Sequence, residues 1–196
     1  PRLPLNVHPP FRDINNDAIE SFCGGVNHNR SIEKIQFERM DLSGGEIFQL
    51  LGPFFENNHN LSEIEVEWCI FGPGCARRFS LALIGCNKSL KRFNLDGNQM
   101  GGLSVHLQLK KLGLRRNASL TSVVLMHNQM GDEHLVEVLE ALSTHPQLYT
   151  LVLEGMNIRT NECDALADLL NTTMTELVAL HLGNNIIDDE GVDAVA

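Results

Sequence analysis

The 196-residue chain has one tryptophan, one tyrosine and a shortage of positive charge, with 15 basic residues against 25 acidic ones. The net charge of −10 argues against a nucleic-acid backbone as principal partner, because phosphate binding depends on basic patches. A neutral or cationic partner fits better. The five cysteines (Cys23, Cys69, Cys75, Cys86, Cys163) are odd in number and form no CxxC pair, so neither a disulfide framework nor a zinc knuckle is indicated. A reducing compartment is expected, cytoplasmic with the nucleus as the other option. No stretch approaches the roughly 20 apolar residues of a membrane span, and the opening Pro1-Arg2-Leu3-Pro4-Leu5-Asn6 lacks the layout of a secretory signal. A soluble, unexported protein without membrane contact is expected. What is present is a hydrophobic fraction of 43%, enough to bury the core of one domain or one repeat array.

Internal periodicity decides the fold class. Aligned from Ile32, Leu61, Leu90, Leu120, Leu148 and Leu177, six segments share the pattern L-x-x-L-x-L-x-x-N-x-L at spacings of 29, 29, 30, 28 and 29 residues. The apolar set runs Ile32, Ile35, Phe37, Leu42 in the first segment and Leu61, Ile64, Val66, Phe71 in the second. Leu90, Phe93, Leu95, Met100 and Leu120, Val123, Leu125, Met130 follow, then Leu148, Leu151, Leu153, Ile158 and Leu177, Leu180, Leu182, Ile187. Apolar residues alternate for about five positions and then switch, which predicts a short strand followed by a turn.

The second half of each unit changes to helical period, with Ile47, Leu50, Leu51, Phe54 in the first unit and Leu135, Val138, Leu139, Leu142 in the fourth. Cys163, Leu166 and Leu170 continue it in the fifth, and Val192 and Val195 begin it in the sixth. Neither a short helix nor a lone strand can cover its own apolar face, so stability must come from stacked neighbours.

This pattern resembles the leucine-rich repeat, specifically the ribonuclease-inhibitor-like subtype with about 28 to 29 residues per unit. The residues from Leu177 through Leu180, Leu182 and Asn185 to Gly191 match it best. The resemblance spans roughly residues 31–196. It implies an α/β solenoid, a horseshoe with a parallel sheet on the concave side and helices on the convex side. A single domain of six repeats over 32–196 is expected, the last truncated. Residues 1–31 form a degenerate or truncated first repeat, with Ile14 at its turn and Ile19, Phe22 and Cys23 on its helix. Neither end carries a convincing polar cap, so the array is expected to be a fragment of a longer chain. Asn98, Asn128 and Asn185 fill the asparagine position, but Met40, Cys69 and Met156 replace it elsewhere. Because that side chain bonds backbone in the family's turn, a looser or water-satisfied turn is expected in those three units.

No catalytic constellation stands out, and no cofactor or metal is indicated. Ser31-Ile32-Glu33-Lys34 has S-x-x-K spacing but opens a strand, whereas that motif works at the start of a helix. Gly44-Gly45, Gly72-Pro73-Gly74 and Gly101-Gly102 lack the remaining residues of a phosphate loop and are expected to be turns. The eight histidines include no H-x-x-x-H pair. Five Asn-x-Ser/Thr sequons, at Asn29, Asn60, Asn87, Asn117 and Asn171, lie between a helix end and the next strand, where Asn tolerates a left-handed backbone and Ser or Thr bonds the turn, so they are expected to serve turns rather than carry glycans.

Period-2 alternation sends the intervening strand residues to the concave face, where equivalent positions in successive units are direct neighbours. One column reads Gln36, Glu65, Asn94, Val124, Val152, His181, and another reads Glu38, Glu67, Asp96, Met126, Glu154, Gly183. Glu38, Glu65, Glu67 and Asp96 thus form an acidic strip, although adjacent like charges cost a few tenths to about one kcal/mol. It is either kept for a cationic partner or self-compensated, with Arg39 near enough to neutralise Glu38 or Glu67. Trp68, between Arg39 and Gly97 on its neighbours, is either a cation–π partner of Arg39 or an anchor for a partner protein. Toward the C-terminus the face turns less charged, with Val124, Met126, His127, Tyr149, Val152 and His181.

The expected function is therefore a non-catalytic protein-interaction scaffold whose partner, with a basic surface, meets Glu38, Arg39, Glu65, Glu67, Trp68, Asp96, Val124, Met126, His127, Tyr149, Val152, Glu154 and His181. Two alternatives follow from the same resemblance: a GTPase-activating protein of the Ran type, or the sensor region of a nucleotide-binding immune-type receptor.

Overall fold

Segments in which every second residue is apolar can bury one face only. Lys34–Glu38 (β2) and Glu63–Glu67 (β3) do so, burying Ile35, Phe37, Ile64 and Val66 while the residues between them stay half-exposed. The computed structural model describes residues 5–7, 16–43, 46–70, 75, 77–81, 88–98, 117, 119–128, 130, 132–171 and 176–195. Shorter strands repeat the arrangement at Leu5–Val7 (β1), Arg92–Asn94 (β4), Ser122–Val124 (β5), Thr150–Val152 (β6) and Ala179–His181 (β7). They form one seven-stranded parallel sheet in sequence order. Equivalent residues pair throughout: Leu5 with Ile35, Ile35 with Ile64, Ile64 with Phe93, Phe93 with Val123, Val123 with Leu151, and Leu151 with Leu180.

Helices connect the strands: Asn16–Val26 (α1), Glu46–Leu50 (α2), Gly52–Asn57 (α3), Asp132–Leu142 (α4), Thr160–Asn171 (α5) and Asp189–Val195 (α6). The helix expected through Ile47, Leu50, Leu51 and Phe54 is two pieces, because Pro53 sits at the first turn of α3 and cannot continue the hydrogen bonding of α2. In α5 the buried residue is Leu169, and the expected Leu170 is exposed. Val192 is likewise exposed, and Gly191 takes the inner position of α6. A Cβ there would lie 2.9 Å from Cys163 Sγ, so only glycine lets α6 pack this closely on α5. Asp188 ties the two helix starts together, accepting from Thr160 Oγ1 (2.6 Å) and from the Gly191 N–H (3.0 Å). The Thr160 bond first, and then the Gly191 bond, hold its carboxyl below the ordinary range.

The interior is one continuous cluster. Its N-terminal half is aromatic, with Phe37 against Phe48 (5.4 Å), Phe48 against Phe79 (4.8 Å) and Phe79 stacked on Phe93 (5.7 Å). Its C-terminal half is aliphatic, built on Leu125, Leu135, Leu139, Leu151 and Leu153. Leu177, Leu180, Leu182 and Ile187 are only half-buried. Phe22 and Cys23 of α1 join the core, while Ile14, Phe71, Met100 and the three glycine pairs or triplets lie outside the described residues.

The turns after the strands correct the expectation of looseness at Met40, Cys69 and Met156. The Cys69 N–H donates to Asn98 Oδ1 (2.8 Å) and the Met156 N–H to Asn185 Oδ1 (2.9 Å), so the side chain comes from the following unit. Met40 has the same arrangement with a thiol as acceptor: its N–H donates to Cys69 Sγ (3.4 Å), and the S–H reaches the Glu67 carbonyl (3.3 Å). Each asparagine amide donates in return to two strand-end carbonyls, Asn98 to Val66 and Leu95 and Asn185 to Leu153 and Leu182. Asn98→Ala would strand the Cys69 N–H and the Val66 carbonyl in the interior. It is expected to lower the unfolding free energy in urea by about 2–4 kcal/mol, and Cys69→Ala by less, since sulfur is the weaker acceptor. A loss below roughly 0.5 kcal/mol for Asn98→Ala would contradict this arrangement.

Candidate interaction face

The strand alternation that fills the core leaves the other sheet face open, and the candidate residues divide over it into three zones. Glu65, Val124, Val152 and His181 stand in one strand column, with Glu38, Glu67, Asp96, Met126 and Glu154 in the adjoining column. Arg39, Trp68 and His127 lie at the strand-end margin, and Tyr149 lies at the opposite, strand-start margin. Val124, Met126 and Val152, expected as an exposed apolar stretch, are half-buried.

The acidic strip is largely compensated from within. Lys34 Nζ lies 2.7 Å from Glu65 and 3.7 Å from Glu63, and Arg92 reaches Glu63 at 4.0 Å. Arg39 is 3.6 Å from Glu38, His127 Nδ1 is 2.8 Å from Asp96, and His181 Nδ1 is 3.6 Å from Glu154. Such exposed pairs contribute about 0–1 kcal/mol each. The effect of the lysine and arginine pairs here is to cancel field. Glu67 is different: Asn94 Nδ2 donates to its Oε1 (2.6 Å) and Gln36 Nε2 to its Oε2 (3.1 Å), and no cation pairs with it among the described residues. Burial pushes its carboxyl above the ordinary value, opposed by the Gln36 bond and reinforced by Glu65, Asp96 and Glu38.

The strand-end margin has its own backbone rule. Arg39, Trp68, Gly97, His127, Gly155 and Asn184 occupy equivalent positions, all with φ between 54° and 68°. Five of them extend the sheet by donating to the next unit's carbonyl: Arg39 to Glu67, Trp68 to Asp96, Gly97 to Met126, His127 to Glu154 and Gly155 to Gly183. Glycine and asparagine suit this left-handed backbone, whereas a bulky side chain in it costs on the order of 1–3 kcal/mol. Trp68 adopts it at φ 55° and remains 52% exposed. Its indole leans over Gly97, where a Cβ would meet the ring at 2.6 Å, and reaches the His127 imidazole at 5.7 Å between centroids. His127 in turn lies over Gly155, where a Cβ would come within 2.8 Å. Large and small residues alternate along the column, so two rings make one ridge. The ring partner of Trp68 is thus His127, two units away, and not the expected Arg39.

Sequence reasoning missed three supports of this face: the amides of Gln36 and Asn94, and Gly155. The alternation of ring and glycine down one column was the available signal. It also missed an open depression of about 850 Å³ beside Tyr149, lined by Arg92, Thr121, Ser122, Thr150 and Glu176, where the strand-start residues become small.

The remaining motifs have local duties. Ser31 Oγ donates to Asn29 Oδ1 (3.2 Å) while Lys34 is held by Glu65, so the S-x-x-K pair is not assembled. Asn29 Oδ1 accepts from the Ser31 and Ile32 N–H groups. Asn117 is buried and accepts from Ser119, and Asn60 Nδ2 donates to the Arg30 carbonyl. Asn171 ends α5 and Asn87 lies outside the described residues. Cys23, Cys69, Cys75 and Cys163 are buried free thiols. Burial pushes Cys23 and Cys69 up to about 11 and raises Cys75 and Cys163 as well, which keeps these thiols protonated at neutral pH. Among the described residues no His/Cys/Asp/Glu group is placed to hold a metal ion, and no helix is long and apolar enough to cross a membrane.

A family model described as Leucine Rich repeat matches residues 116–135 and 171–196. With the parallel sheet and its helices, these matches support a leucine-rich repeat protein. No curated protein matches the chain. Leucine-rich repeats generally mediate protein–protein interaction and are typically non-catalytic.

The folded state holds the Glu67 proton more tightly than the unfolded chain does. Its favourable contribution is complete below the ordinary value of 4.5 and is lost as pH rises through the higher folded value. In thermal melts from roughly pH 4 to 7, the wild type is expected to lose stability relative to Glu67→Gln as pH rises. A difference that stays constant or grows in favour of the wild type would contradict the burial of this carboxylate.

Proposed function

We propose that the chain is a non-catalytic scaffold of the ribonuclease-inhibitor-like repeat subtype that binds a protein partner on a concave sheet face. Units beginning near residues 32, 61, 90, 120, 148 and 177, after a degenerate first unit over 1–31, make up the array. Strands spaced about 4.8 Å apart are backed by helices about 10 Å across. Stacking them one unit at a time forces the sheet to the inside of a horseshoe. The contact set is Glu38, Arg39, Glu65, Glu67, Trp68, Asp96, Val124, Met126, His127, Tyr149, Val152, Glu154 and His181, and the partner presents a basic surface. The free, buried thiols suit a reducing compartment, the cytosol or nucleus.

The single observation that carries this reading is Trp68, a large aromatic held half-exposed on a strained backbone directly after Glu67, a carboxylate with no cation among the described residues. Tryptophan and arginine dominate interface energetics, and a fixed ring loses little entropy on binding. A photo-crosslinking residue placed at Val124 or Val152 is expected to capture one and the same protein. The same residue at the exposed helix positions Glu140 or Asp168 should capture none of it. Equal capture from the helices would contradict binding on the sheet face.

A further inference from the structure

We propose that Trp68 and Glu67 together form a receptor for an arginine side chain carried by the partner protein. The proposal rests on the reading of the open sheet face as an interaction surface and names the chemistry of its occupant. Three features converge. The indole is immobilised before any partner arrives, laid over Gly97 on one side and stopped by His127, whose Nδ1 is taken up by Asp96 at 2.8 Å. Trp68 as a whole stays half-exposed.

Glu67 is oriented in the same way. Each carboxylate oxygen accepts one amide hydrogen, Oε1 from Asn94 and Oε2 from Gln36, and each oxygen has one further acceptor position. Two remaining acceptor positions on one fixed carboxylate match the two parallel N–H groups of a guanidinium fork. Two neighbouring carboxylates already have cations, Lys34 beside Glu65 and Arg39 beside Glu38, and Asp96 is occupied by its hydrogen bond with His127 Nδ1. Glu67, which directly precedes Trp68 in the chain, has amide partners and no cation among the described residues. A guanidinium satisfies both groups at once, because its plane stacks on indole while its edge donates to carboxylate. It is also more weakly hydrated than the ammonium of lysine, which can meet either group only as a point charge.

Trp68 is the chain's sole tryptophan, so its emission reports on this locus directly. Titration with acetylated, amidated hexa-arginine should give a saturable change in that emission, with hexalysine binding several-fold more weakly. Glu67→Gln should weaken hexa-arginine roughly tenfold, whereas Glu20→Gln, the same loss of charge on the exposed helix α1, should change it less than twofold. Trp68→Asn, followed by anisotropy of labelled peptide, should weaken binding to a similar degree without lowering the thermal midpoint, since Asn184 holds the same left-handed backbone. Equal weakening by Glu67→Gln and Glu20→Gln would overturn the proposal in favour of bulk charge. So would unchanged emission during binding, or hexalysine binding as tightly. If the peptide does not bind while crosslinks from Val124 and Val152 persist, the arginine receptor is refuted and the interaction face stands; dispersal of the crosslinks would instead refute the face.

Discussion

Four units of this chain are closed by a side chain from the unit after it. Met40 depends on Cys69, Cys69 on Asn98, Asn98 on Asn128, and Met156 on Asn185, each through a backbone N–H that would otherwise be shut away from water. The amides of Asn98, Asn128 and Asn185 return the bond to strand-end carbonyls, so these three joints are fastened in both directions. Unpaired buried backbone groups are costly, and this relay couples neighbours at the edge where strands give way to turns. The opposite margin uses the same device: Asn58 Nδ2 donates to the Asn29 carbonyl of the preceding unit and to the Ile32 carbonyl at the start of its own.

The relay and the shared core together fix which side chains are free. Because equivalent residues pair across the sheet, whatever stands at one open position is flanked by its counterparts. Charges are thereby matched across strands, as Lys34 is with Glu63 and Glu65, and sizes are matched along the left-handed column, as Trp68 is with Gly97 and His127 with Gly155. The face is preorganised by the repeat itself, and Trp68 is the position where local backbone preference yields to surface chemistry.

The core positions were legible in the sequence because spacings of 28 to 30 residues hold Ile35, Ile64, Phe93, Val123 and Leu151 in one register. The columns of the open face followed from the same arithmetic. Other features were not legible, for identifiable reasons. Cys69 takes the asparagine role only because its neighbour's N–H points at it, a relation between units that no single unit displays. Leu169 replaces Leu170 because one residue is a rotation of about 100° on a helix, less than the uncertainty in where α5 begins. The Trp68 partner sits two units away, past a glycine, so adjacency in the aligned columns pointed to Arg39 when contact falls to His127. Half-burial of Val124 and Val152 comes from flanking side chains on both adjacent strands, which alternation does not register.

Native-state hydrogen exchange tests the central claim most directly, that the turns at Met40, Cys69, Asn98 and Met156 are completed by the following unit. The amides of Met40, Cys69, Asn98 and Met156 should exchange as slowly as those of the core strands, opening only with large-scale unfolding. Exchange of these four amides at the rate of exposed loops, while Val123 and Leu125 remain protected, would contradict the account.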